Sequence, residues 1–212
     1  MSVTNFIHRY IPSEQAHAPT LLLLHGTGGD ENSLVEIGKQ LAPHAGILSP
    51  RGKVLENGMP RFFRRLAEGV FDQEDLVKRT HELADFIQSA AAEYGFDLSS
   101  VIAVGYSNGA NVAASLMLLH PGLVQRAVLF RSMLPFEPSA PINLAGTSAL
   151  LLAGHYDNLI PAASVEALAQ VLENSGASIE LNWQPTDHRL TSADLAAAQT
   201  WIAQQVVKSG VS

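Results

Sequence analysis

Val101-Ile102-Ala103-Val104-Gly105-Tyr106-Ser107-Asn108-Gly109-Ala110-Asn111 reads as a short apolar strand, a tight turn with a serine between two glycines, and the first turn of a helix. Strand, G-x-S-x-G and helix in that order make a nucleophile elbow. The turn strains the serine backbone, so Gly105 and Gly109 must be small for strand and helix to approach each other. Val112, Leu116 and Leu119 continue at helical spacing. Ser107 Oγ is thereby pushed out above a sheet, and the helix starting at Asn108 aims its free N–H groups where a substrate oxygen would gain negative charge. The plainer alternative is a Gly-Ser turn joining a buried strand to a helix.

Working outward, Phe6 to Ile11 is a candidate first strand and Thr20 to His25 a second, apolar on both faces as a covered central strand would be. The second runs into Gly26-Thr27-Gly28-Gly29-Asp30, a loop whose N–H groups can approach a ligand; Asp30 or Asn32 is placed to cap a helix through Leu34, Val35, Ile37 and Leu41. The loop lacks the lysine and the spacing of a nucleotide-binding loop. Ala45 to Ser49 is a third strand. A long loop from Gly52 to Gly69 follows, carrying Arg61-Phe62-Phe63-Arg64-Arg65 on a functional rim; the alternative is that the phenylalanines pin the loop while the arginines are solvated. A helix is expected over Asp72–Tyr94. Beyond the elbow helix come strands at Arg126–Phe130, Ala149–Ala153 and Ser178–Trp183, a helix at Ala162–Asn174, and a terminal helix through Trp201 to Val207, its last residues fraying. Alternating strands and helices imply a mostly parallel sheet covered on both faces, with ligands at the carboxyl ends of the strands.

At 212 residues the chain has room for one buried core, read as a single domain over 1–212. Hydrophobic residues at 47% against 16% charged exclude disorder. A net charge of −7 without a basic run argues against nucleic acid or an anionic membrane as partner. The chain has no cysteine, which removes disulfides, thiolate metal sites and cysteine nucleophiles. Met1 to Asn5 lacks the basic start of an export signal, and no apolar run approaches a membrane span, so a cytoplasmic protein is expected.

Serine needs a base, and the base a carboxylate that fixes its tautomer and stabilises its cation. Ser107, Asp157 and His188 occur in that order, each just after a strand: nucleophile, orienting acid and general base. Asp157 has the alternative of a simple turn residue and His188 that of a surface histidine. Asp187 competes for the acid role, although adjacency to the ring gives it poor geometry. The N–H of Asn108 and that of Thr27 form the expected oxyanion hole, with Gly28 a near alternative to Thr27. His25 is read as structural, tying down the glycine loop.

With these residues assembled, the chain resembles the α/β-hydrolase superfamily, and within it the phospholipase/carboxylesterase group that includes acyl-protein thioesterases and small bacterial carboxylesterases of the hydroquinone-stress type. The resemblance rests on Leu24 to Glu31, Arg61-Phe62-Phe63-Arg64, the Asp72–Tyr94 region, Gly105 to Asn111, Gly154-His155-Tyr156-Asp157 with Ile160-Pro161, and His188. It implies an α/β fold with a sheet of about seven strands, no lid domain, and hydrolysis of short or medium acyl esters through Ser107, His188 and Asp157 and an acyl-enzyme, without metal or organic cofactor. Arg61, Phe62, Phe63 and Arg64 become candidates for contact with a small-molecule ester. A thioesterase or amidase with the same triad, and a ligand-binding homologue with dead chemistry, stay open as alternatives, as does a homodimer. Where such enzymes commonly have glycine before the histidine this chain has Asp187, expected to raise the pKa of the base or to compete as its partner.

Overall fold

The computed structural model describes residues 6–15 and 18–209. Met1 to Asn5, read above for export signals, and the terminal residues 210–212 lie outside the described residues. In chain order the first elements are β1 (His8–Ile11), β2 (Thr20–Leu24), α1 (Val35–Leu41), β3 (Gly46–Pro50), β4 (Val54–Glu56), β5 (Met59–Arg61), β6 (Arg65–Ala67) and β7 (Val70–Phe71). There follow α2 (Gln73–Tyr94), β8 (Val101–Tyr106), α3 (Asn108–Leu119), β9 (Arg126–Phe130), β10 (Ser148–Gly154), α4 (Ala162–Asn174), β11 (Ser178–Gln184) and α5 (Ser192–Ser209).

Seven strands form one sheet in the order β1-β3-β2-β8-β9-β10-β11. All neighbours are parallel except β1, which runs antiparallel to β3 at the edge. Strand alternation divides the apolar side chains between two layers. Leu22 and Leu24 of β2 and Ala103 of β8 face a core shared with α2, α3 and α4, to which Leu83, Leu116 and Leu168 contribute. Leu21, Leu23, Ile102 and Val104 face the opposite layer, against Val35 of α1 and Trp201 and Ile202 of α5. A strand buried on both faces has no polar side, which is why β2 and β8 read as unbroken apolar runs.

The chain leaves β2 towards β3 on one side and returns to β8 on the other. The carboxyl ends of β2 and β8 therefore flank the switch point, where adjacent loops diverge and leave a crevice.

Two stretches differ from the sequence reading. Residues 54–71 form two short hairpins, β4–β5 and β6–β7, in place of one open loop over 52–69. Three-residue strands are too short for a hydrophobic period, but Asn57-Gly58, with φ of 51° and 80°, is the two-residue hairpin turn that announces the first. The α1 cap is the second difference: Leu34 occupies the N-cap without a side-chain bond. Asp30 instead accepts from the Asn32 N–H at 2.8 Å and the Ser33 hydroxyl at 3.1 Å, closing the glycine loop on itself.

Candidate active site

Ser107 sits between β8 and α3 with φ 52° and ψ −115°, a left-handed conformation that costs a side-chain-bearing residue about 1–3 kcal/mol. A Cβ on Gly109 would overlap the Leu24 carbonyl, so the helix can lie against the β2 end only with glycine there. The Ser107 N–H donates to the Phe130 carbonyl at 2.9 Å, which fixes the turn to the next strand.

From the carboxyl ends of β10 and β11 come the other two groups. His188 Nε2 lies 3.0 Å from Ser107 Oγ, and His188 Nδ1 lies 2.8 Å from Asp157 Oδ2. An ionised carboxylate only accepts, so the proton belongs on Nδ1 and the Nε2 lone pair faces the serine hydroxyl. Asp157 Oδ1 accepts from the N–H groups of Leu159 (2.8 Å) and Ile160 (3.1 Å), and its side chain is 1% exposed. With both oxygens engaged, the carboxylate can hold only one ring orientation. Gly154 permits this convergence: a Cβ there would stand 2.5 Å from the Asp187 carbonyl.

Asp187 points elsewhere. Both its oxygens take the Arg189 guanidinium at 3.1 Å, and Arg189 together with its N–H holds the Asp187 carboxyl below its ordinary pKa.

Among the described residues the Thr27 N–H has no partner, whereas the Gly28 N–H donates to the Pro60 carbonyl at 2.9 Å. Gly28 is therefore engaged, and Thr27 and the first-turn Asn108 keep donors for the crevice. The segment Pro60–Phe62 touches both. Arg61 Nη1 donates to Thr27 Oγ1 at 2.6 Å, and the Phe62 N–H donates to Asn108 Oδ1 at 2.7 Å. The glycine loop is anchored from its other side by His25. Its Nδ1 donates to the Gly26 carbonyl at 2.7 Å and its Nε2 accepts the Gly52 N–H at 2.9 Å, a neutral tautomer favoured because burial lowers the ring pKa.

Arg61 and Arg65 line a cavity of about 60 Å³ together with Thr27, Ser107, Asn108 and His188. Phe62 and Phe63, 3% and 0% exposed, lie in the core. Arg64 is turned outward, with Nη2 on Asp72 at 2.8 Å.

Two positioning groups escape the sequence reading. Buried Arg131 pairs with Asp194 (Nη2–Oδ2 2.6 Å) and donates to the carbonyls of Asp187 (3.1 Å) and Arg189 (2.8 Å), gripping the loop on either side of the imidazole. Tyr106 donates its hydroxyl to the His188 carbonyl at 3.1 Å. Neither residue type carries a motif. The one available signal was that Arg131 interrupts an apolar strand end.

Residues 7–206 match the family described as Phospholipase/Carboxylesterase. The chain is 47% identical over 187 residues to MhqD of Bacillus subtilis (strain 168), which bears the name of a hydrolase, covering 88% of this chain and 94% of the relative. The crystal structure of the Bacillus cereus carboxylesterase superposes with a TM-score of 0.92 at 44% identity, covering 94% of each chain. The structure of YahD with malic acid gives a TM-score of 0.88 at 32% identity over 94% of this chain and 98% of its own.

Proposed function

The chain belongs to the phospholipase/carboxylesterase family and has the α/β-hydrolase fold, and from that premise we propose that it is a serine carboxylesterase acting on small or medium acyl esters. The observation that carries the proposal is the continuous relay from Asp157 through His188 to Ser107, with links of 2.8 and 3.0 Å. His188 Nε2 takes the hydroxyl proton as Ser107 Oγ attacks the acyl carbon, and Asp157 stabilises the imidazolium. The oxyanion is received by the N–H groups of Thr27 and Asn108, each such donor being worth about 10²–10³ in turnover. His188 then protonates the leaving alkoxide. Water repeats the sequence on the acyl-enzyme, releasing the acid and restoring the serine.

The partner this reading requires is a small ester. The solved structure of YahD with malic acid is consistent with a ligand of that size, and the cavity beside Ser107 leaves little room for a long acyl chain. Among the described residues no helix is long and apolar enough to cross a membrane.

The test is Ser107→Ala against nitrophenyl acetate and butyrate. The variant is expected to lose hydrolysis by several orders of magnitude, and to lose labelling by a fluorophosphonate, while its unfolding curve stays that of the wild type. A folded Ser107→Ala protein that turns over nitrophenyl butyrate at the wild-type rate would overturn the proposal.

A further inference from the structure

The cavity beside Ser107 holds more donors than hydrolysis of a plain acyl ester needs. Arg61 is 3% exposed, and its guanidinium is only partly answered by protein. Nη1 meets Thr27 Oγ1, while Nε meets the Phe63 carbonyl at 3.2 Å and Glu56 Oε2 at 3.4 Å. Glu56 is closer to Arg65, with contacts of 2.7, 2.9 and 3.2 Å. Two guanidinium groups thus share one carboxylate and leave a positive charge in excess. Nη2 of Arg61 has no acceptor among the described residues; with Nε and Nη1 turned to protein, it is the edge left for the cavity that Arg61 lines.

Asn108 lines the same cavity with its side chain turned to protein: its Oδ1 is fixed by the Phe62 N–H. An incompletely paired buried cation is costly, so Arg61 gains from an acceptor that carries charge.

We propose that this cavity receives a carboxylate on the acyl part of the substrate, so that the preferred substrates are half-esters of short dicarboxylic acids. This rests on the Ser107 hydrolase reading and specifies its substrate class. The free carboxylate is held by Arg61 Nη2 while the ester carbonyl faces the N–H groups of Thr27 and Asn108. The volume of about 60 Å³ suits a carboxylate on a short methylene spacer. Glu68 also lines the cavity and is exposed; its charge opposes an anion, and removing that charge should strengthen the preference.

The experiment compares monoethyl succinate with ethyl 4-methylpentanoate, which has the same heavy-atom skeleton with an isopropyl group in place of the carboxylate. Hydrolysis is followed by pH-stat. Wild type is expected to favour the succinate at least tenfold in kcat/KM. Glu68→Gln should widen the ratio. Because Arg61 also holds Thr27, Arg61→Gln should slow both esters, but the ratio should fall to about one, and Arg61→Lys should restore part of it. A wild-type ratio of one or below, or a ratio untouched by Arg61→Gln, overturns the proposal.

Binding is read separately by calorimetric titration of succinate into Ser107→Ala. Saturable binding lost in Ser107→Ala/Arg61→Gln supports the site, and no binding to Ser107→Ala overturns it. Succinate binding in a wild-type protein that hydrolyses neither ester would sink the hydrolase reading and leave the carboxylate site standing.

Discussion

Two aspartates compete for His188 in the sequence, and their surroundings separate them. Asp157 is buried, fixed by two backbone N–H groups and 2.8 Å from Nδ1, whereas the Asp187 side chain is 43% exposed and paired with Arg189. Asp157→Asn would offer the ring an amide in place of an acceptor and favour the wrong tautomer, with an expected fall in kcat of about 10⁴ on nitrophenyl butyrate. Asp187→Asn is expected to stay within a few-fold of wild type in the same assay, a larger loss showing that the neighbouring carboxylate matters after all. At this scale much was legible. Chain order and position after strands single out Ser107, Asp157 and His188, because a strand end points its side chain at the sheet rim. The sequence also puts Thr27 ahead of Gly28, but the contact that supports this order, the Gly28 N–H donating to the Pro60 carbonyl, joins segments that no local pattern brings together.

Elements, rather than single residues, aim the imidazole. The loop between β11 and α5 is held by Arg131 at the end of β9, and the start of α5 supplies the counter-charge: Asp194 pairs with Arg131 and accepts from the Thr191 N–H and hydroxyl, both at 2.8 Å. Thr191 and Asp194 have capping-box spacing and can be read from sequence, but an arginine four elements away in the chain cannot. Arg131→Met leaves the Asp194 carboxylate buried and unpaired, so urea unfolding should show a loss of about 3–5 kcal/mol. Arg131→Met/Asp194→Leu removes both charges and should recover most of that stability apart from about 1 kcal/mol of lost capping. Its kcat is expected to remain low, because the carbonyls of Asp187 and Arg189 have lost their donor and His188 its anchorage. A stable double variant with wild-type turnover would show that the loop holds itself.

Over the whole molecule, the layers follow from alternation, since β2 and β8 must divide their leucines, valines and isoleucines between two helix layers whatever the strand order. The order itself, with β2 between β3 and β8, is a long-range property that local periodicity does not carry, and it creates the crevice. His25 joins the loop after β2 to Gly52, and Arg61 and Phe62 touch Thr27 and Asn108. The His25 link makes global stability depend on pH in a direction that can be worked out. Burial lowers the folded-state pKa of His25 below its ordinary value near 6.5, so the unfolded chain binds the extra proton more readily. The contribution is complete above about pH 6.5 and is lost as pH falls from there towards the folded value, by at most about 1.4 kcal/mol per pH unit. Asp30 and Glu31, whose pKa values are lowered by the Asn32 N–H and by Arg51 respectively, act at lower pH and are common to any variant of the histidine. Urea unfolding of wild type and His25→Gln, at about pH 7.5 and about pH 5.5, isolates the ring: wild type should be the more stable at the higher pH, and the gap should narrow at the lower. A gap that is constant or widens on acidification would mean that the ring is not the neutral link its two bonds require.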